Sequence, residues 1–117
     1  MNNQQVKTHL NQWIEAVTEW LIEDYHRSLK AQGYEKLIGS QFENPPYLRI
    51  EGGRKYIRIF DQHGSIFAFI RASDGAILKP ASRKRPMLNH IRGSIFDANL
   101  ENALTPNGVR YIDRKNN

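Results

Sequence analysis

The residues of this 117-residue chain best equipped for chemistry are cationic and clustered. Lys79-Pro-Ala-Ser82-Arg83-Lys84-Arg85-Pro86 is followed by Arg92, and no acid stands between Asp74 and Asp97. Arginine presents a planar fork of donors that holds phosphate oxygens in pairs. Ser82 adds a hydroxyl, and Arg58, Lys79 and Arg92 add charge. A local field of one sign attracts polyanions. The expected partner is therefore DNA or RNA, single strands included. Tyr56, Phe60, Phe67 and Phe69 are interleaved upstream, and exposed rings beside a cationic rim stack on bases. The plain alternatives are a solvated loop that keeps the chain soluble and rings that belong to the core.

Formal net charge is +5, from 17 Lys+Arg and 12 Asp+Glu. Residues 1–50 hold five basic and six acidic groups; residues 51–117 hold twelve and six. The excess lies wholly in the second half. An anionic membrane surface and an acidic protein share the electrostatic requirement.

Other chemistries find little support. The chain has no cysteine, which excludes disulfides, thiolate zinc sites and a cysteine nucleophile. Metal sites need converging ligands, yet none of His9, His26, His63 and His90 are paired at helical spacing. Neither a nucleophile-elbow pattern nor a standard nucleotide loop occurs. Gly52-Gly53-Arg54-Lys55 is glycine-rich and basic, but it joins two strands, so it reads as a turn with phosphate contact as the outside option. Glu51, Asp61 and Asp74 fall on different turns, and Asp97 and Glu101 share only ordinary helical spacing. The expectation is a protein with no catalytic residues, cofactor or metal.

The elements that must position the cations follow from periodicity. Val6, Leu10, Trp13, Ile14, Val17, Leu21, Tyr25 and Leu29 step by three or four, which predicts an amphipathic helix over about residues 3–32, with a break near Glu23-Asp24 as a variant. Trp13 and Trp20 lie on nearly one face; they are expected to pack against a sheet, and a partner-binding face is the rival reading. Residues 33–46 read as an irregular connector, with Leu37 and Ile38 as an apolar anchor, Gly39-Ser40 as a turn and Pro45-Pro46 excluding helix. Residues 47–79 read as strands: 47–51, 55–60, 65–71 and 76–79, joined at Gly52-Gly53, at 61–64 and at Ser73-Asp74-Gly75. Ile50, Ile57, Ile59, Phe67, Phe69 and Ile77 are the inward candidates. Tyr56, Arg58 and Phe60 fall on the second face, with Arg71 near it.

Residues 80–93 read as a proline-bracketed basic surface loop. Ser94, with Asp97 three residues on, is expected to cap a short helix over 94–104. Thr105-Pro-Asn-Gly108 is a turn, 109–112 a short edge strand and 114–117 a frayed tail. The fold class is thus α+β in one domain: a long N-terminal helix (1–32) on a small antiparallel β-meander of three to five strands, then a short C-terminal helix. No apolar run approaches the ~20 residues of a membrane helix, so no membrane span is expected. The N-terminus lacks the pattern of a secretory signal.

Lys55-Tyr-Ile-Arg-Ile, Gly64-Ser-Ile-Phe-Ala-Phe-Ile, Asp74-Gly-Ala-Ile-Leu-Lys-Pro-Ala-Ser82 and Arg92-Gly-Ser-Ile resemble a family of small uncharacterised bacteriophage proteins, over about residues 54–97. A Trp is usual after the Lys-Pro-Ala-Ser core; Arg83 stands there instead. The resemblance implies phage origin and the bacterial cytoplasm as site of action, and carries no catalytic residue. Two functions follow. One is a non-catalytic nucleic-acid-binding accessory protein acting through Arg58, Lys79, Ser82, Arg83, Lys84, Arg85 and Arg92. The other is a protein-interaction module, a virion component or an inhibitor of a host protein, that docks or homodimerises through Trp13 and Trp20.

Overall fold

A computed structural model describes residues 3–31 and 46–110. The expectations for Leu37, Ile38, Gly39-Ser40, Pro45, residues 111–112 and the tail fall outside the described residues. The architecture is α+β: one long helix, α1 (Asn3–Ala31), on a five-stranded antiparallel sheet. The strands are β1 (Arg49–Glu51), β2 (Tyr56–Phe60), β3 (Ile66–Arg71), β4 (Ala76–Leu78) and β5 (Gly93–Ser94), ordered as they occur in the chain. A separate hairpin follows, β6 (Leu104–Thr105) and β7 (Gly108–Val109).

α1 runs unbroken through Glu23-Asp24, which corrects the variant with a break there. No Gly or Pro interrupts it, and Lys30 in its last turn suits the negative end of the helix dipole. Val6, Leu10, Trp13, Val17 and Leu21 form its buried stripe, with Ile14 and Trp20 packed at the edge. They share one core with Ile57, Ile59, Phe67, Ala68, Ile70, Ala72 and Ile77 of the sheet, joined by Ile95, Ala103, Leu104 and Val109. Burial of this stripe, more than helix propensity, is what stabilises a 29-residue helix.

Two further expectations are corrected. The first concerns Phe69. Alternation puts Phe67 and Phe69 on one face, but a register shift at Ile59/Phe60 makes a bulge in β3. Phe67 and Ala68 both join the helix-side core, and Phe69 goes to the opposite face, opposite Arg58 and Leu78. A bulge inserts one residue and so inverts the alternation beyond it. Gly108 of β7 lies against the bulge: a Cβ there would stand 3.1 Å from the Phe67 carbonyl oxygen.

The second concerns residues 94–104. The capping contact forms, for Ser94 N–H donates to Asp97 Oδ2 at 2.9 Å and Ser94 Oγ accepts from Phe96 N–H at 3.1 Å. The helix does not follow. Gly93 and Ser94 pair with Ile77 and Ala76 as the fifth strand, and Ile95 N–H donates to the Gly75 carbonyl at 2.9 Å. With those groups claimed by the sheet, only one 3-10 turn remains, Leu100–Asn102, capped by the Asn99 side chain.

Candidate nucleic-acid interface

The basic loop is built by its own backbone. Pro80 and Pro86 form an isolated bridge, and Met87 N–H donates to the Lys79 carbonyl at 2.7 Å. Ala81 N–H and Ser82 N–H both donate to the Arg85 carbonyl, at 2.9 and 3.1 Å. Ser82 Oγ accepts from the N–H groups of Lys84 and Arg85, each at 3.2 Å. The expected phosphate donor Ser82 is therefore first a turn builder.

Arg83 ties this loop to the sheet. Its guanidinium donates to the Gly64 carbonyl at 2.6 Å and lies 4.9 Å from the ring centroid of Phe60. Two more guanidinium groups reach that ring, Arg49 at 4.7 Å and Arg58 at 5.8 Å. Strand register explains the meeting: Arg49 is the cross-strand partner of Phe60, and Glu51 that of Arg58. Glu51 accepts from Arg49 at 3.2 Å and from Arg58 at 2.5 Å. Among the described residues it is the only carboxylate that pairs with Arg49, Arg58, Arg83, Lys84 or Arg85. The side chains of Lys84 and Arg85 are exposed at the loop tip.

Lys79 and Arg92 stand apart from this cluster. Lys79 Nζ donates to the Val109 carbonyl at 2.9 Å. Burial, and then the charge of Arg92, hold the Lys79 ammonium below the ordinary lysine range. Arg92 donates to the carbonyls of His90 at 2.6 Å and Arg110 at 3.2 Å. Both residues fasten the ends of the 80–92 segment to the loop and hairpin that follow. Arg71 is engaged by Asp74 through two bonds of 2.9 and 2.6 Å.

The rings do not form a stacking platform. Phe60, Phe67 and Phe69 are buried, and half-buried Tyr56 meets Phe69 edge-on at 6.4 Å between centroids. Among the described residues, Leu88, 68% exposed, and Ile91, 53% exposed, are apolar side chains at the surface between Arg85 and Arg92 in the chain. The helix face of the rival reading is spent on the sheet: Trp13 is 2% exposed and Trp20 packs against the core. Sequence reasoning missed Arg49. Its signal was the Gly52-Gly53 hairpin, whose register sets residue 49 opposite residue 60. Among the described residues no three His, Asp or Glu side chains gather as metal ligands, and no helix is long and apolar enough to cross a membrane.

The chain belongs to a family of unknown function, DUF7717, whose model matches residues 1–108. No curated protein and no solved structure matches it.

Proposed function

We propose that this member of a family of unknown function is a non-catalytic accessory protein that binds nucleic acid through phosphate contacts. The observation that carries the reading is the shared ring of Phe60. It brings Arg49, Arg58 and Arg83, from three separate segments, within 5.8 Å of one centroid, with Glu51 as their one paired carboxylate among the described residues. Arg49 and Arg58 donate to Glu51 and Arg83 to the Gly64 carbonyl, but each guanidinium carries five N–H donors, and those left over can meet phosphate oxygens. Lys84 and Arg85 extend the positive surface at a loop tip that Ser82 and Arg83 hold in shape. Buried phenylalanines favour grip on the backbone over stacking on bases, so duplex DNA suits this surface. The resemblance of residues 54–97 to small bacteriophage proteins supports a phage-encoded role in the bacterial cytoplasm.

The test is a filter-binding titration on duplex DNA at several salt concentrations. About five phosphate contacts give a log–log salt slope of roughly −4 to −5, and the Arg83/Lys84/Arg85→Ala triple variant, which leaves Arg49 and Arg58, brings it to about −2. Unchanged binding in that variant, or none at low salt, overturns the proposal.

Exposed Leu88 and Ile91, close behind Arg85 in the chain, favour a second reading, a protein-interaction module that docks an acidic partner surface there. This replaces the Trp13 face, which the core has consumed. Under this reading DNA affinity is absent, and a partner is lost on Leu88→Ser and Ile91→Ser.

A further inference from the structure

On the other face of the sheet, away from the Arg83 loop, α1 and the β1–β2 hairpin border an open cleft of about 770 Å³. That volume falls within the range of small-molecule sites. The floor is apolar: Leu10 of α1, Ile57 of β2 and Ala72 just past β3 are core residues whose outer edges reach the cleft. Ile50, 38% exposed, forms a wall. Among the described residues the polar groups are Lys7, Asn11 and Arg54, and no described Asp or Glu lines the cleft.

The two hairpin glycines differ in what they are for. A Cβ on Gly53 would stand 2.2 Å from the Tyr56 carbonyl oxygen, so the turn itself requires glycine there. A Cβ on Gly52 would meet nothing within 4 Å, and Gly52 is not among the residues with positive φ. The fold makes no demand for glycine at position 52, yet that residue lines the cleft. Its bare backbone leaves room for a ligand to approach.

We propose that this cleft is a binding site for an amphipathic organic anion. A ring or short acyl group lies on Leu10, Ile50, Ile57 and Ala72, and a carboxylate, sulfonate or phosphate sits between Lys7 and Arg54. The apolar floor selects the organic part, and two cations with no described carboxylate beside them in the lining select the anionic head. The site is independent of the nucleic-acid surface, since none of Arg49, Arg58, Arg83, Lys84 or Arg85 lines it.

The probe is 1-anilinonaphthalene-8-sulfonate, titrated by fluorescence into the folded full chain. Saturable one-site binding is expected. Lys7→Gln with Arg54→Gln weakens it roughly tenfold or more, because both charge-assisted contacts are lost. Gly52→Trp puts a bulky ring at the hairpin side of the cleft and weakens binding without changing the thermal midpoint, because a Cβ at position 52 meets nothing within 4 Å. The Arg83/Lys84/Arg85→Ala variant and Leu88→Ser bind as the parent does, which separates this site from the loop and its apolar neighbours. No saturation up to about 1 mM probe overturns the proposal. So does binding that both cleft variants leave unchanged, or that Leu88→Ser removes.

Discussion

The Arg83 guanidinium lies 4.9 Å from the ring centroid of Phe60, a residue 23 positions earlier in the chain and 1% exposed. This contact does two things. It docks the basic loop on the sheet, and it sets Arg83 beside Arg49 and Arg58, which use the same ring. A cation on a ring face gains about 0.5–1 kcal/mol at an exposed site. That is enough to bias a loop whose backbone bonds already shape it.

A double-mutant cycle measures the contact. Phe60→Leu keeps the core filled and removes the ring; Arg83→Gln removes the charge. Urea denaturation of the four proteins is expected to give a coupling of about 0.5–1 kcal/mol. Additive effects would show that the ring and the guanidinium do not act on each other.

Acid stability should report the Arg71–Asp74 pair. The hydrogen bond from Arg71 holds the Asp74 carboxyl below the usual carboxylate range, and burial, which acts the other way, is the weaker cause. A depressed folded pKa means the pair stabilises the fold above the unfolded carboxylate value of about 3.9, and that this contribution is lost as pH falls through the folded value. The pair is partly exposed, so solvent screening limits it to less than about 1 kcal/mol. Asp74→Asn should lower stability by that much at neutral pH and flatten the fall below pH ~4 in urea titrations. Parallel curves for the two proteins would dismiss the pair.

Two turn glycines should separate strain from crowding. Gly64 and Gly75 have φ of 79° and 80°, but a Cβ meets nothing within 4 Å at Gly64. At Gly75 it would stand 2.8 Å from Ile95 Cγ1 and 3.0 Å from the Phe96 ring. Gly64→Ala is expected to cost about 1–2 kcal/mol from backbone conformation alone. Gly75→Ala should cost about 1–3 kcal/mol beyond that, because it overpacks the seam between β4 and β5. Equal losses on denaturation would contradict this.

The two tryptophans should behave differently. Trp13 lies in the core, and Trp13→Ala is expected to cost about 3–5 kcal/mol. Trp20 packs at the core's edge and its loss should cost less. Neither substitution should alter DNA affinity in variants that remain folded. A Trp13→Ala protein of undiminished stability would show that the helix face is not held by the sheet.

Local pattern was enough to determine much of this protein. The three-and-four spacing from Val6 to Leu21 dictates a helix with one apolar face, and the turns at Gly53, Gly64 and Gly75 cut residues 49–78 into antiparallel strands of neighbouring order. These features depend on residues within one turn of helix or one hairpin, so the sequence displays them directly. The basic loop between its prolines was legible for the same reason.

Tertiary structure decided the rest. The bulge in β3 sends Phe69 to the face opposite Phe67, a change no alternation can announce because it depends on how β2 and β7 meet the strand. Ser94 carries a helix-capping signal, yet its backbone completes the sheet beside Ala76, because pairing with a strand already in place satisfies more groups than starting a short helix. The candidate site follows the same rule. In the sequence, charge alone groups Arg58 with Arg83, and Arg49 stands outside the group. They become one surface only when strand register and loop docking bring them to Phe60, across separations that local periodicity does not span.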